Sequence, residues 1–263
     1  MLLVWHLICL TYDYFEPKQG GIFPKLKNIK FSSMKSLREI WNSKFPSESF
    51  SKLDTLIIEK CDKLVSVFPC YNEGIFHSLC SLTVKKCRLM RTIFDIDDKK
   101  HDVGDVTSLQ DIHLEILPNL KHIWKLKEGR GGILNLNNLQ KIMVQNCVCL
   151  ENIFPFSVAK SLGNLEYLVV SSCYELREIV AKRAAANIDN LSFKFPKLRS
   201  IKFSDLQQLT SFYPGAFQLS CPTLNDLSIE HCDWLEPFHK ETVDAQEKSA
   251  LFPEEVVLSL SNL

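Results

Sequence analysis

The residues best equipped for chemistry are the ten cysteines and seven histidines. As thiolates and imidazoles they could ligate a metal, attack a carbonyl or move protons. Their spacing argues against each use. No Cys-x-x-Cys pair occurs, and Cys147-Val-Cys149 is too tight for ordinary zinc-ligand spacing. The histidines are scattered, and His113 reads as a solvated residue on a strand face. Gly129-Arg-Gly-Gly132 lacks the Lys-Ser/Thr pair and the strand–loop–helix context of a phosphate-binding loop. No Gly-x-Ser-x-Gly, His-Glu-x-x-His or kinase motif is present. The expectation is a chain without catalytic, cofactor-binding or metal-binding residues.

Five of the cysteines instead mark a period. Cys61, Cys87, Cys147, Cys173 and Cys232 occupy one slot of the phrase Leu-x-x-Ile-x-Ile-x-x-Cys-x-x-Leu-x-x-Ile-aromatic. The phrase recurs eight times, starting at Leu26, Leu53, Leu79, Leu109, Leu139, Leu165, Leu198 and Leu224. Met34, Leu117 and Leu206 fill the slot in the remaining copies. A thiol that alternates with Met and Leu is a small buried apolar group rather than a ligand. Unpaired structural cysteines fit a reducing, cytoplasmic compartment.

The phrase also states how the chain folds. Apolar residues at alternating positions bury one face of a short strand and present the other. One such strand cannot cover its own inner face, so neighbouring copies must stack into a parallel sheet with a continuous core. The expected architecture is an α/β-type solenoid, a horseshoe with a parallel β-sheet on its concave face. Irregular loops or short helical turns would make the convex face. Trp41, Phe68, Phe94, Trp124, Phe154, Val180 and Tyr213 form a second column and read as core filler. Pro69, Pro155 and Pro214 end that segment. Pro24, Pro196 and Pro222, two residues before a motif Leu, favour an extended entry into the strand. Polar connectors occur at Asp95–Val103, Lys127–Gly132, Ala181–Asn187 and His239–Lys248, the Ala-rich one suited to a helical turn.

Composition agrees with a globular protein. Of 263 residues, 46% are hydrophobic and 24% charged, and the net charge is zero. A neutral chain lacks the basic excess that non-specific nucleic-acid binding requires. No apolar run reaches the roughly 18 residues of a membrane span. Met1–Leu10 is apolar, but it carries no charged start and no small-residue cleavage site follows. It reads as the interior of a longer frame, and Leu260-Ser-Asn-Leu263 as the opening of a ninth copy. The divisions are 1–22, an N-terminal segment; 23–238, the repeat solenoid; and 239–263, a polar connector with a truncated repeat.

What remains for function is the outward strand face. Its central column is Lys30, Ile57, Thr83, His113, Met143, Val169, Lys202 and Ser228. Lys60, Lys85, Lys86 and Tyr167 complete the candidate protein-binding set. Copies one to three hold five lysines against Asp54 and Glu59, whereas copies four to eight hold three cations against six carboxylates. Ile57, Ile116, Met143, Tyr167 and Val169 add apolar character between the two. A bipolar groove with an apolar middle would select partners by charge complementarity.

Phrases such as Cys147-Val-Cys-Leu150-Glu-Asn-Ile-Phe154-Pro155 and Cys232-Asp-Trp-Leu235-Glu236 carry a resemblance, as do Phe195-Pro-Lys-Leu198 and Leu209-Thr-Ser-Phe-Tyr-Pro-Gly215. From about Phe23 to Phe238 the chain resembles the leucine-rich-repeat region of plant coiled-coil nucleotide-binding disease-resistance receptors. That resemblance implies a protein ligand, a pathogen effector or a host protein, and contact with the receptor's own nucleotide-binding domain in a longer chain. Nothing here resembles that domain, so ATP binding is not carried over. The alternative is the substrate-recognition repeat domain of an F-box ubiquitin ligase, or a stand-alone repeat protein. F-box repeats continue as Cys-x-x-Ile-Thr-Asp into a helix, whereas Leu-x-x-Ile-Phe-Pro follows here.

Overall fold

In a computed structural model, the described residues are 21, 23–41, 49–68, 78–96, 108–126, 136–182, 191–214, 217–233, 235–238 and 250–252. Met1–Leu10, Pro69, Lys127–Gly132, His239–Lys248 and Leu260–Leu263 lie outside them, as do most of Asp95–Val103 and Ala181–Asn187.

In chain order the first strands are β1 (Asn28–Ser32), β2 (Thr55–Glu59), β3 (Ser66–Phe68), β4 (Ser81–Lys85) and β5 (Thr92–Ile96). Next come β6 (Asp111–Glu115), β7 (His122–Leu126), β8 (Lys141–Gln145), β9 (Asn152–Phe154) and the helix α1 (Phe156–Ala159). The series continues with β10 (Tyr167–Ser171), β11 (Glu178–Val180), β12 (Ser192–Lys194) and β13 (Ser200–Ser204). It ends with β14 (Gln218–Ser220), β15 (Asp226–Glu230), β16 (Glu236–Phe238) and β17 (Ala250–Phe252).

Each motif copy supplies one strand of an eight-stranded parallel sheet, ordered β1-β2-β4-β6-β8-β10-β13-β15. The alternation in Leu56-Ile-Ile58 and its equivalents sets the register, because a one-residue slip would turn every inward side chain outward. Leu56, Leu82 and Ile112 are accordingly in line, and so are Ile58, Val84 and Leu114. All of them are buried within a single core cluster that runs through every copy. The motif cysteines are buried with it, as are Met34, Leu117 and Leu206 in the same slot.

The slot does more than fill space. The thiols of Cys61, Cys87, Cys147, Cys173 and Cys232 each point at the carbonyl two residues earlier, at 3.3–3.6 Å. That is weak hydrogen bonding, and it gives each thiol an internal acceptor at a strand end. The eight described cysteines are all free thiols. Cys87 is held well above the usual thiol range by its neighbour Cys61 and by burial, and Cys147 similarly by Cys173 and burial. Burial alone pushes Cys221 up to about 12. Cys87, Cys147 and Cys221 are therefore held as neutral thiols, whereas the hydrogen bond with Cys87 lowers Cys61.

A device not expected from the sequence closes every front strand. The residue after it, Ser33, Lys60, Lys86, Ile116, Asn146, Ser172, Asp205 or His231, is left-handed, with φ between 52° and 56°. This bend turns the backbone N–H toward the next copy. Lys60 N–H donates to the Lys85 carbonyl, Lys86 N–H to Glu115 and Ile116 N–H to Gln145, at 2.9–3.0 Å. The ladder therefore continues one step beyond the sheet.

The solenoid is confirmed, but its α/β character is not. Among the described residues the sole helix is the four-residue α1. The returning segments form short parallel strands instead, β3-β5-β7 and β9-β11, and a further parallel pair, β12-β14, lies ahead of the last two front strands. Ser66-Val-Phe68, Thr92-Ile-Phe94 and Glu178-Ile-Val180 are rich in β-branched and aromatic residues, which favour strands over helix. Within the tail read as connector, β17 pairs in parallel with β16.

The aromatic column is buried at Trp41, Phe68, Phe94, Trp124, Phe154 and Val180, whereas Tyr213 is half-buried beside Phe193 and Phe217. The prolines before the motif differ from expectation. Leu26, Leu198 and Leu224 donate their N–H to Phe23, Phe195 and Cys221 carbonyls, so Pro24, Pro196 and Pro222 are second residues of tight turns. Proline's fixed φ suits that position as well as it suits an extended one.

Candidate protein-binding face

The eight residues of the predicted central column are direct register partners. Lys30 faces Ile57, then Thr83, His113, Met143, Val169, Lys202 and Ser228 follow in unbroken order. None is buried, because each lies at an outward position of its strand. Lys85 sits one column further along, between Glu59 and Glu115. Tyr167 sits one column earlier, between Lys141 and Ser200, and is 41% exposed. Lys60 and Lys86 occupy the left-handed bend just past the strands. The structure thus brings all twelve candidate residues onto one outward surface.

Most of the charge on that surface is paired between strands. Lys85 Nζ lies 2.9 Å from Glu115 Oε2, and Lys202 Nζ lies 2.8 Å from Asp226 Oδ2. Lys30 and Lys60 both stand 3.9 Å from Glu59, and Arg199 is 3.5 Å from Glu166. The hydrogen bond from Lys85 holds the Glu115 carboxyl below its ordinary range. Lys202 and Ser200 do the same for Asp226, whose partner Lys202 is raised in turn. Exposed pairs of this kind contribute little stability, but they fix where side chains stand. They also shrink the bipolar field read from sequence, since a paired Lys85 offers less free charge than an unpaired one.

His113 is the titratable group at the middle of the face. Burial lowers its pKa, and Lys85 adds to the effect, so the imidazole is neutral near pH 7. Its Nε2 is buried, makes no hydrogen bond, and lies 3.7 Å from Glu115. Next to it, Met143, Val169 and Tyr167 form a contiguous apolar patch across β8 and β10. Ile57 does not join them: Thr83 and His113 stand between.

A hollow of about 480 Å³ lies at the edge of this face, unsuspected from the sequence. Two columns line it. Ser33, Lys60, Lys86 and Ile116 are the left-handed residues of the first four copies. Lys35, Asp62, Arg88 and Pro118 each follow the buried Cys, Met or Leu of the same copies. Lys35, Asp62 and Arg88 were missed because the alternation rule covers the strand and not the bend beyond it. The signal available was their constant offset from the slot residue.

Among the described residues, no group of three or more His, Cys, Asp or Glu side chains converges as a metal would require. No described helix is long and apolar enough to cross a membrane.

A parallel solenoid whose strand, buried slot residue and bend repeat every 26 to 33 residues defines a leucine-rich-repeat protein. Residues 25–174 match the family described as plant disease resistance protein RPS2-like, leucine-rich repeats. The chain belongs to that family. No curated protein and no solved structure matches it.

Proposed function

We propose that the chain is the non-catalytic protein-recognition module of a plant intracellular immune receptor. It acts in the cytoplasm, where it senses a pathogen effector or a guarded host protein on the outward sheet face. The observation carrying this reading is the unbroken in-register column of β1 to β15, which turns eight separate strands into one surface. On that surface the Met143–Val169–Tyr167 patch is flanked by His113 and Lys202. An apolar centre with a polar rim is the anatomy of a protein interface, and repeat solenoids present such extended surfaces. Membership of the resistance-protein family supports the biological setting.

The test is affinity capture from plant tissue with the tagged chain and a variant carrying Met143→Asp and Val169→Asp. Both residues point outward, so the variant should keep the wild-type circular dichroism spectrum. Proteins that co-purify with wild type should be depleted about tenfold or more, as expected when two central apolar anchors are charged. An unchanged set of captured proteins would overturn the reading.

A further inference from the structure

The hollow beside β1 to β6 holds, among the described residues, four cationic side chains, Lys35, Lys60, Lys86 and Arg88, against one carboxylate, Asp62. Among the described residues, Lys35, Lys86 and Arg88 form no ion pair, in contrast to the paired lysines of the sheet face. The same two columns change sign further along. In copies five to eight they hold Asn146, Val148, Ser172, Tyr174, Asp205 and Gln207, then His231 and Asp233, without a lysine or arginine. His231 is itself engaged with Asp205 at 3.2 Å. Within these two columns the unpaired positive charge is therefore concentrated in the first three copies, where the surface is concave.

We propose that this hollow binds an acidic segment of a partner protein, with Asp and Glu carboxylates as the groups recognised. The inference rests on the recognition reading above and gives that surface a second anchoring point. Adjacent strands are ~4.8 Å apart, so four copies span roughly 15 Å, the length of four or five extended residues. Arg88 and the three lysines then meet carboxylates along the segment, Arg88 in a planar fork and the lysines as point charges. Asp62 accepts the Arg88 backbone N–H at 3.2 Å and retains acceptor capacity. A peptide can match that acceptor with its own N–H groups, whereas a phosphodiester chain has no donor to offer. Ile116 and Pro118 add apolar surface, and among the described residues no aromatic ring lines the hollow on which a base could stack.

The experiment titrates the full chain with a fluorescent eight-residue peptide of alternating Glu and Leu, at about 50 mM salt where surface charges are weakly screened. A Gln-for-Glu peptide and a single-stranded oligothymidine of equal charge serve as comparisons. Wild type should bind the acidic peptide at least tenfold more tightly than either comparison. Lys86→Glu with Arg88→Glu should abolish that preference. The milder Lys86→Gln with Arg88→Gln should weaken it about tenfold while leaving the circular dichroism spectrum unchanged.

Equal or tighter oligothymidine binding would overturn the proposal in favour of a nucleic-acid surface. Indifference of wild type to the acidic peptide, or of the Gln variant to the loss of charge, would overturn it outright. Capture through Met143 and Val169 is read separately. If capture persists while peptide binding fails, only the hollow assignment falls; if both fail, the recognition reading falls too.

Discussion

Ile116 shows how a repeat imposes a backbone on a residue that dislikes it. Its φ of 55° is left-handed, and it is β-branched, so its Cβ and methyls crowd the neighbouring carbonyl. The conformation persists because its N–H must reach the Gln145 carbonyl at 2.9 Å. The equivalent residue one copy later is Asn146, a type that tolerates this region. Ile116→Asn should therefore stabilise the protein by about 1 kcal/mol, since the left-handed penalty is roughly 1–2 kcal/mol and little apolar burial is lost. The side chain is 40% exposed, which keeps that loss small. Urea denaturation would show a higher midpoint at unchanged slope; a lower midpoint would mean that the isoleucine packs better than its exposure indicates.

Among elements, the second column behaves as a spine. Phe68 and Phe94 stack at 5.1 Å and 7°, and Phe94 and Trp124 at 4.4 Å and 5°. In-register pairing of β3, β5 and β7 places these rings above one another. Trp124 then reaches the next copy, donating Nε1–H to the Ile153 carbonyl at 3.1 Å. Trp124→Phe retains a ring for the stack but removes that donor. The expected loss is about 1–3 kcal/mol, the cost of leaving a buried acceptor unsatisfied. Thermal and urea unfolding of this variant beside Trp124→Ala would separate the contributions. A Phe variant as unstable as the Ala variant would assign the whole effect to the lost donor, and one as stable as wild type would assign it to ring packing.

At the scale of the molecule, every substantial contact between strands joins neighbours in the stack. Among the described residues no strand makes substantial contact with a distant one that would lock the ends together, so stability is close to a sum of copies and interfaces. Damage in the middle should uncouple what lies on either side. Leu114, fully buried in β6, touches the copies before and after through Val84 and Val144 in the same row. Leu114→Ala should cost roughly 2–5 kcal/mol and split or broaden the urea transition. A single sharp transition with the wild-type slope would show that the stack unfolds as one unit despite its linear contacts.

The period, the strand, the buried cysteine slot and the outward column were all legible in the sequence. Each depends on local alternation repeated eight times, and a sheet of stacked identical phrases leaves register no freedom. The returning strands were harder to read. Three-residue runs such as Ser66-Val-Phe68 become strands only when a neighbour supplies the ladder. The turns at Pro24, Pro196 and Pro222 were equally hidden, because proline's φ serves turn and extended chain alike. The left-handed bend was invisible, since residues as different as Ile116, Lys86 and Asp205 adopt it under the pull of a hydrogen bond from the next copy. Charge was legible only as a count. Which lysines are neutralised, as Lys85 is by Glu115, and which stand free in a hollow, as Lys86 and Arg88 do, depends on distances across copies. Chain order therefore determined the solenoid and its outward face, and tertiary stacking decided where that face keeps unpaired charge to offer a partner.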